Sequence, residues 1–119
     1  MDNEVYYIAV ASSDGIVVNN HFGRAKTFYI FEVNEQDEFK CVEKREVEPV
    51  CNRRNHDDDR LRENLLKLKD CKYLLVSKIG FEAAHVAESL GIGSYEIPGV
   101  ITDSINHLIN YIKIEKLFA

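Results

Sequence analysis

The sequence predicts an α/β protein built on a five-stranded mixed sheet, with elements in the order β-β-β-α-β-α-β-α. Three observations carry this. Apolar runs of strand length open the chain, separated by turn-forming residues. After residue 58, apolar residues recur at helical spacing and alternate with short apolar runs. Hairpin-linked strands followed by β-α-β units leave a mixed sheet, with helices on its faces, as the simplest arrangement.

The first strand, residues 5–11, contains Val5-Tyr6-Tyr7-Ile8-Ala9-Val10 and is apolar on both faces. Such a strand belongs at the centre of a sheet, covered on both sides. A loop too long for a tight hairpin follows, holding Asp14-Gly15, His21, Gly23 and Arg24. Ordered loops of this length are commonly functional. The second strand begins near Lys26, includes Thr27-Phe28-Tyr29-Ile30-Phe31-Glu32-Val33 and returns antiparallel to the first. Asn34 to Asp37 form a turn. The third strand, about Phe39 to Val47, carries Lys40, Glu43, Lys44 and Arg45, charges that suit a sheet edge.

Pro49 ends that strand, and a loop from Glu48 to Asp58 leads to the first helix. Asp57 to Asp59 provide an N-cap and favourable charge at the positive helix end. These acids also suggest a magnesium cluster, but the cap explains them better. Leu61, Leu65 and Leu68 form the apolar face of the helix. Cys71 to Val76 read as a buried strand. Gly80 opens a second helix with Ala83, Val86, Ala87 and Leu90 on one face, and Gly91 stops it. Ser94 to Ile97 form a short strand ended by Pro98-Gly99. Thr102 or Asp103 caps a C-terminal helix with the stripe Ile105, Leu108, Ile109 and Ile112.

The 119 residues fit one unit, residues 1–119, because domains commonly run about 100–150 residues. The net charge of −5 gives no basic field for nucleic acid or an anionic membrane. No apolar stretch approaches the ~20 residues that span a bilayer. The opening Met1-Asp2-Asn3-Glu4 lacks the basic region of a signal peptide, so a cytoplasmic location is expected. The cysteines at 41, 51 and 71 are odd in number and do not suggest a disulfide framework. Cys41 and Cys71, in or beside strands, read as packing residues.

The expected topology collects chemistry at one place. Ligands of open α/β sheets bind beyond the carboxyl ends of the strands. That end gathers Ser12, Ser13, His21, Arg24, Cys51, Arg53, Arg54, His56, Lys78 and the helix start after Gly80. The set fits an anionic metal–sulfur cluster. A thiolate or imidazole completes a coordination position on iron. Cations and free backbone N–H groups balance negative charge. His21 and Cys51 are the candidate metal ligands. Against this, His21 can serve only as a turn cap, and His56 can simply precede the helix cap. Cys51 and His56 form a C-x4-H pair, whereas a structural zinc site usually needs four ligands. Arg53 and Arg54 suit a solvated loop. His85 and His107 lie off the apolar stripes and read as surface residues.

The stretch from Ile8 to Val33, with Asp14-Gly15, His21-Phe22-Gly23 and the aromatic strand ending Phe31-Glu32-Val33, resembles the dinitrogenase iron–molybdenum cofactor biosynthesis proteins. Asp59-Arg60-Leu61, the run Cys71 to Gly80 and Leu90-Gly91-Ile92 extend the resemblance over residues 5–112. The family includes NifX-like carriers and the C-terminal part of NifB. The resemblance implies a ribonuclease-H-like sheet. It also implies a non-enzymatic carrier of the iron–molybdenum cofactor or an iron–sulfur precursor, in metallocofactor biosynthesis or delivery. Expected partners are the metallocluster itself and cofactor-biosynthesis proteins or an acceptor apoenzyme.

The chain departs from the pattern in one loop. Cys51-Asn52-Arg53-Arg54-Asn55-His56 is bulkier and more charged than the glycine-rich loop common in relatives related to NifB. It also has no C-x3-C-x2-C run, so it lacks the radical-SAM half of NifB. The alternative to a carrier is a small regulatory or partner-binding module without a cluster. A two-metal nuclease fits poorly, because it needs convergent carboxylates and the first strand offers none in its middle.

Overall fold

The computed structural model describes residues 4–50 and 58–118. The elements are β1 (Tyr6–Ala11), β2 (Val17–Val18), a 3-10 turn (Phe22–Arg24), β3 (Thr27–Val33) and β4 (Phe39–Glu46). They continue with α1 (Asp58–Leu66), β5 (Tyr73–Val76), α2 (Phe81–Ser89), β6 (Gly93–Glu96), β7 (Gly99–Val100) and α3 (Ile101–Leu117).

A five-stranded sheet has the order β4-β3-β1-β5-β6. β3 lies antiparallel to β1 and β4, whereas β5 runs parallel to β1 and β6 parallel to β5. The strand that is apolar on both sides is therefore central, and the charged strand β4 is an edge, as its composition requires. Alternation along β1 divides its side chains between two cores. Ala9 and Ala11 join Leu74, Val76, Phe28 and the apolar faces of α1 and α2. Ile8 and Val10 join Leu75, Phe31 and the α3 stripe Ile105, Leu108, Ile109 and Ile112. On the α3 side, Tyr6, Tyr73, Tyr95 and Tyr111 form a chain of ring contacts with centroids 5.5–5.9 Å apart. Burial pushes the Tyr6 hydroxyl up to about 12.

A second, two-stranded ribbon pairs β2 with β7 and was not legible in the sequence. It changes how the last helix starts. Neither Thr102 nor Asp103 is the cap. Val100 occupies the N-cap position with no side-chain capping bond, and the Ile101 N–H donates instead to the Ile16 carbonyl at 2.8 Å. Backbone from the first loop thus satisfies one of the donors that a helix start leaves without an intrahelical partner. Ile101 is free to be buried. The expectation for Cys41 also needs correction. Its side chain is exposed on β4, because the edge strand packs little of its surface. Cys71 is buried as expected, and desolvation raises its thiol to about 12, which leaves it unreactive.

Arg45 ties β4 to the segment after α1. Its guanidinium donates to both Asp70 oxygens at 2.7 and 2.8 Å, to both Glu43 oxygens at 2.9 and 3.0 Å and to the Lys67 carbonyl at 2.6 Å. These bonds hold the Asp70 and Glu43 carboxyls below their usual values. A depressed folded pKa contributes stability above the unfolded value, and that contribution disappears as pH falls through the folded one. Arg45→Met is therefore expected to cost about 1 kcal/mol at neutral pH, since both carboxylates stay partly solvated. The gap from wild type should narrow below the ordinary carboxylate range. Thermal melts at pH 7 and pH 3 check this, and an equal gap at both would exclude it.

Candidate functional site

The first loop folds by local polar bonds before it reaches His21. The Asp14 carboxylate accepts from the Ile16 and Val17 N–H groups at 2.9 and 3.1 Å, which lowers its pKa. Buried Ser12 accepts from the Gly15 N–H at 2.9 Å and donates to Asp14. Ser13 and Asn19 close the loop base through two bonds of 2.9 and 3.0 Å. Ser12 and Ser13, gathered at this end by the sequence reading, thus shape the loop. Gly15 has φ +78°, and a Cβ there would lie 3.0 Å from the Tyr29 ring. Gly15→Ala is expected to lower stability by about 1–2 kcal/mol, read as a drop in Tm.

From this base the chain crosses to the carboxyl end of β5. The Ser77 N–H donates to the Asn20 carbonyl at 3.0 Å, and the Phe22 N–H donates to the Lys78 carbonyl at 2.9 Å. His21 and Lys78 consequently face each other in a parallel bridge. Phe22 is buried and packs on Phe28 at 5.9 Å, while its neighbour His21 is exposed. His21 occupies the N-cap position of the 3-10 turn without a side-chain capping bond. Its imidazole makes no hydrogen bond or ion pair among the described residues, so the turn-cap reading of that side chain does not hold.

Arg24 and Lys78 are exposed, and neither enters an ion pair among the described residues. Gly80 is the N-cap of α2, again without a side-chain cap, and the first N–H groups of that helix face the end where the parallel strands finish. The structure therefore brings His21 and Lys78 together and sets Arg24 and Gly80 on the adjoining turns. Cys51, Arg53, Arg54 and His56 lie outside the described residues. Glu96, which the sequence reading did not single out, accepts from the Ile79 N–H at 2.8 Å. No local pattern marks it, because the contact depends on the register of β5 with β6.

Among the described residues no group of three or more His, Cys, Asp or Glu could hold a metal ion. His21, Arg24 and Lys78 thus present one imidazole and two cations at this end, with no hydrogen-bond or ion-pair partner for these side chains among the described residues. A cavity of about 730 Å³ opens at the opposite end of the sheet, between Tyr6, Tyr7, Lys72, Tyr73, Asn34 and Ile112. It lies where the parallel strands begin, and Lys113 on its wall is already paired with Asp37. No helix among the described residues is long and apolar enough to cross a membrane.

The architecture is that of a small mixed α/β fold with an exposed imidazole beyond the carboxyl ends of its parallel strands. The profile of the dinitrogenase iron-molybdenum cofactor family matches residues 4–111, and the chain belongs to that family. It is 34% identical over 105 residues to the FeMo cofactor biosynthesis protein NifB of Frankia alni, covering 86% of this chain and 20% of that protein. It is 33% identical over 103 residues to the protein of the same name from Chlorobaculum tepidum, covering 83% of this chain and 23% of that one. The chain thus spans about a fifth of the length of the curated relatives it matches. The crystal structure of PH0822 aligns with a TM-score of 0.67 and 26% identity, covering 87% of this chain and 90% of that one.

Proposed function

We propose that this protein binds a preformed iron–sulfur cluster or iron–molybdenum cofactor and passes it on, without catalysing its synthesis. The observation that carries this is the uncommitted His21 imidazole, fixed by backbone beside Lys78 at the turn into α2. Neutral imidazole is a ready iron ligand. Arg24, Lys78 and the N–H groups at the start of α2 offset the charge of the cargo. The exposure of His21 suits transfer, because an incoming ligand from an acceptor can displace it. On the sequence, Cys51 is the candidate second ligand, and Arg53 and His56 are further candidates for binding the cargo.

The strand order, with β3 alone running against its neighbours in the β4-β3-β1-β5-β6 sheet, supports the ribonuclease-H-like reading. We take residues 1–119 as one functional unit acting in the cytoplasm, with cofactor-biosynthesis proteins or an acceptor apoenzyme as partners. A second reading is a partner-binding module without a cluster. It is favoured by Phe81, which is 88% exposed at the mouth of the site and stacked on His85.

Anaerobic titration with a preassembled, thiol-capped iron–sulfur cluster, followed by absorption and by iron and sulfide analysis, separates the two. Stoichiometric uptake that survives gel filtration is the expected result. Uptake no greater than that of an unrelated protein of similar charge would overturn the carrier reading.

A further inference from the structure

The segment Ser77 to Gly80 carries Lys78 and the start of α2, and among the described residues three hydrogen bonds tie it to the His21 loop and to the end of β6. Two join backbone to backbone on the His21 side: Ser77 N–H to the Asn20 carbonyl at 3.0 Å, and Phe22 N–H to the Lys78 carbonyl at 2.9 Å. The third comes from the opposite side. The Ile79 N–H donates at 2.8 Å to the Glu96 carboxylate, at the last position of β6. Register explains the reach. Glu96 pairs with Val76 across the parallel β5–β6 ladder, and the Ile97 N–H donates to the Val76 carbonyl at 3.1 Å. Tyr95 points to the α3 side, so alternation turns Glu96 to the α2 side, where Ile79 begins the turn.

A carboxylate here is electrostatically unexpected. The proposed cargo is anionic, and a nearby negative charge opposes its binding. Glu96 is exposed, so burial does not account for it. Its geometry does: it fixes the turn from the side that the His21 loop cannot reach.

We propose that Glu96 is a positioning residue for the cluster site, latching the Lys78-Ile79-Gly80 turn so that Lys78 and the start of α2 stay in register with His21. The proposal rests on the carrier reading for its consequence, but the latch itself is a property of the protein without cargo. It acts through the Ile79 N–H and does not touch the cluster.

Glu96→Gln keeps a carbonyl acceptor and removes the charge. Glu96→Ala removes both. Hydrogen exchange of the protein without cargo, followed by NMR, reads the latch directly. The Ile79 and Phe22 amides should exchange about tenfold faster in Glu96→Ala, with the β1 amides unchanged and Glu96→Gln close to wild type. A preassembled, thiol-capped iron–sulfur cluster should bind about tenfold more weakly to Glu96→Ala and at least as tightly as wild type to Glu96→Gln. Unchanged exchange at Ile79 and Phe22 in Glu96→Ala overturns the proposal. So does tighter binding by both variants, which would mean that Glu96 acts through its charge alone. If wild type takes up no cluster, the carrier reading fails, and the exchange arm still decides the latch.

Discussion

Uptake of an iron–sulfur cluster is expected to fall at least about tenfold in His21→Ala, with Tm within about 3 °C of wild type. The loss follows from removing an imidazole that is unengaged among the described residues, and a metal–ligand bond is not replaced by nearby cations. The unchanged Tm follows from the same geometry. The side chain is exposed and makes no capping bond, and substitutions at such positions usually move stability by less than ~0.5 kcal/mol. The backbone bridge to Lys78 does not depend on the side chain. His21→Cys keeps a soft ligand and should recover part of the uptake. Parallel titrations and thermal melts of the three proteins check this. Full uptake by His21→Ala would remove the imidazole from the site and turn attention to Cys51.

Phe22→Ala is expected to cost about 3–5 kcal/mol, the usual range for truncating a buried phenylalanine. Phe22 is 2% exposed, and its ring meets Phe28, which is wholly buried. That contact anchors the loop in the core containing Ala11, Ala25, Val76 and the apolar face of α2. Because His21 directly precedes this anchor, cluster uptake should weaken as well, even at temperatures where the variant stays folded. Phe22→Leu fills more of the space and should lose less of both. Denaturant titration gives the stability, and cluster titration at 10 °C gives the binding. A Phe22→Ala protein that binds normally while losing stability would show that the loop holds its shape through Asp14, Ser12 and the Lys78 bridge alone.

The two predictions separate the roles of adjacent residues. His21 faces solvent and is the proposed ligand, while Phe22 faces the core and holds the loop in place. Loops that bind ligands commonly combine the two in this way, because a ligand group must be exposed and yet held still.

Much of this arrangement was legible in the sequence, for identifiable reasons. Unbroken apolar character fixed β1 as the central strand, since each face must be covered. Lys40, Glu43, Lys44 and Arg45 marked β4 as an edge. The helical spacing of Leu61 and Leu65, of Ala83 and Ala87, and of Ile105, Leu108, Ile109 and Ile112 identified the three buried helix faces. Once β3 was read as antiparallel, topology alone sent the loops after β1 and β4 to the same end as the turn into α2. The family resemblance then named the class of cofactor to test.

Tertiary structure decided what depends on pairing between distant segments. The β2–β7 ribbon joins residues 17–18 to 99–100, each too short to read as a strand. That ribbon moved the start of α3 ahead of its polar candidates, because the Ile16 carbonyl took the Ile101 N–H. Cys41 looked like a packing residue from its strand and proved exposed, since an edge strand need not be covered on both sides. Glu96 was an ordinary charge at the end of a short strand until the β5–β6 register brought it to Ile79. Sequence by itself determined which residues are apolar, with what period, and hence the sheet, its centre and its chemical end. The structure alone decided which polar groups meet there, because a hydrogen bond across 17 residues depends on register and angle, which local composition does not encode.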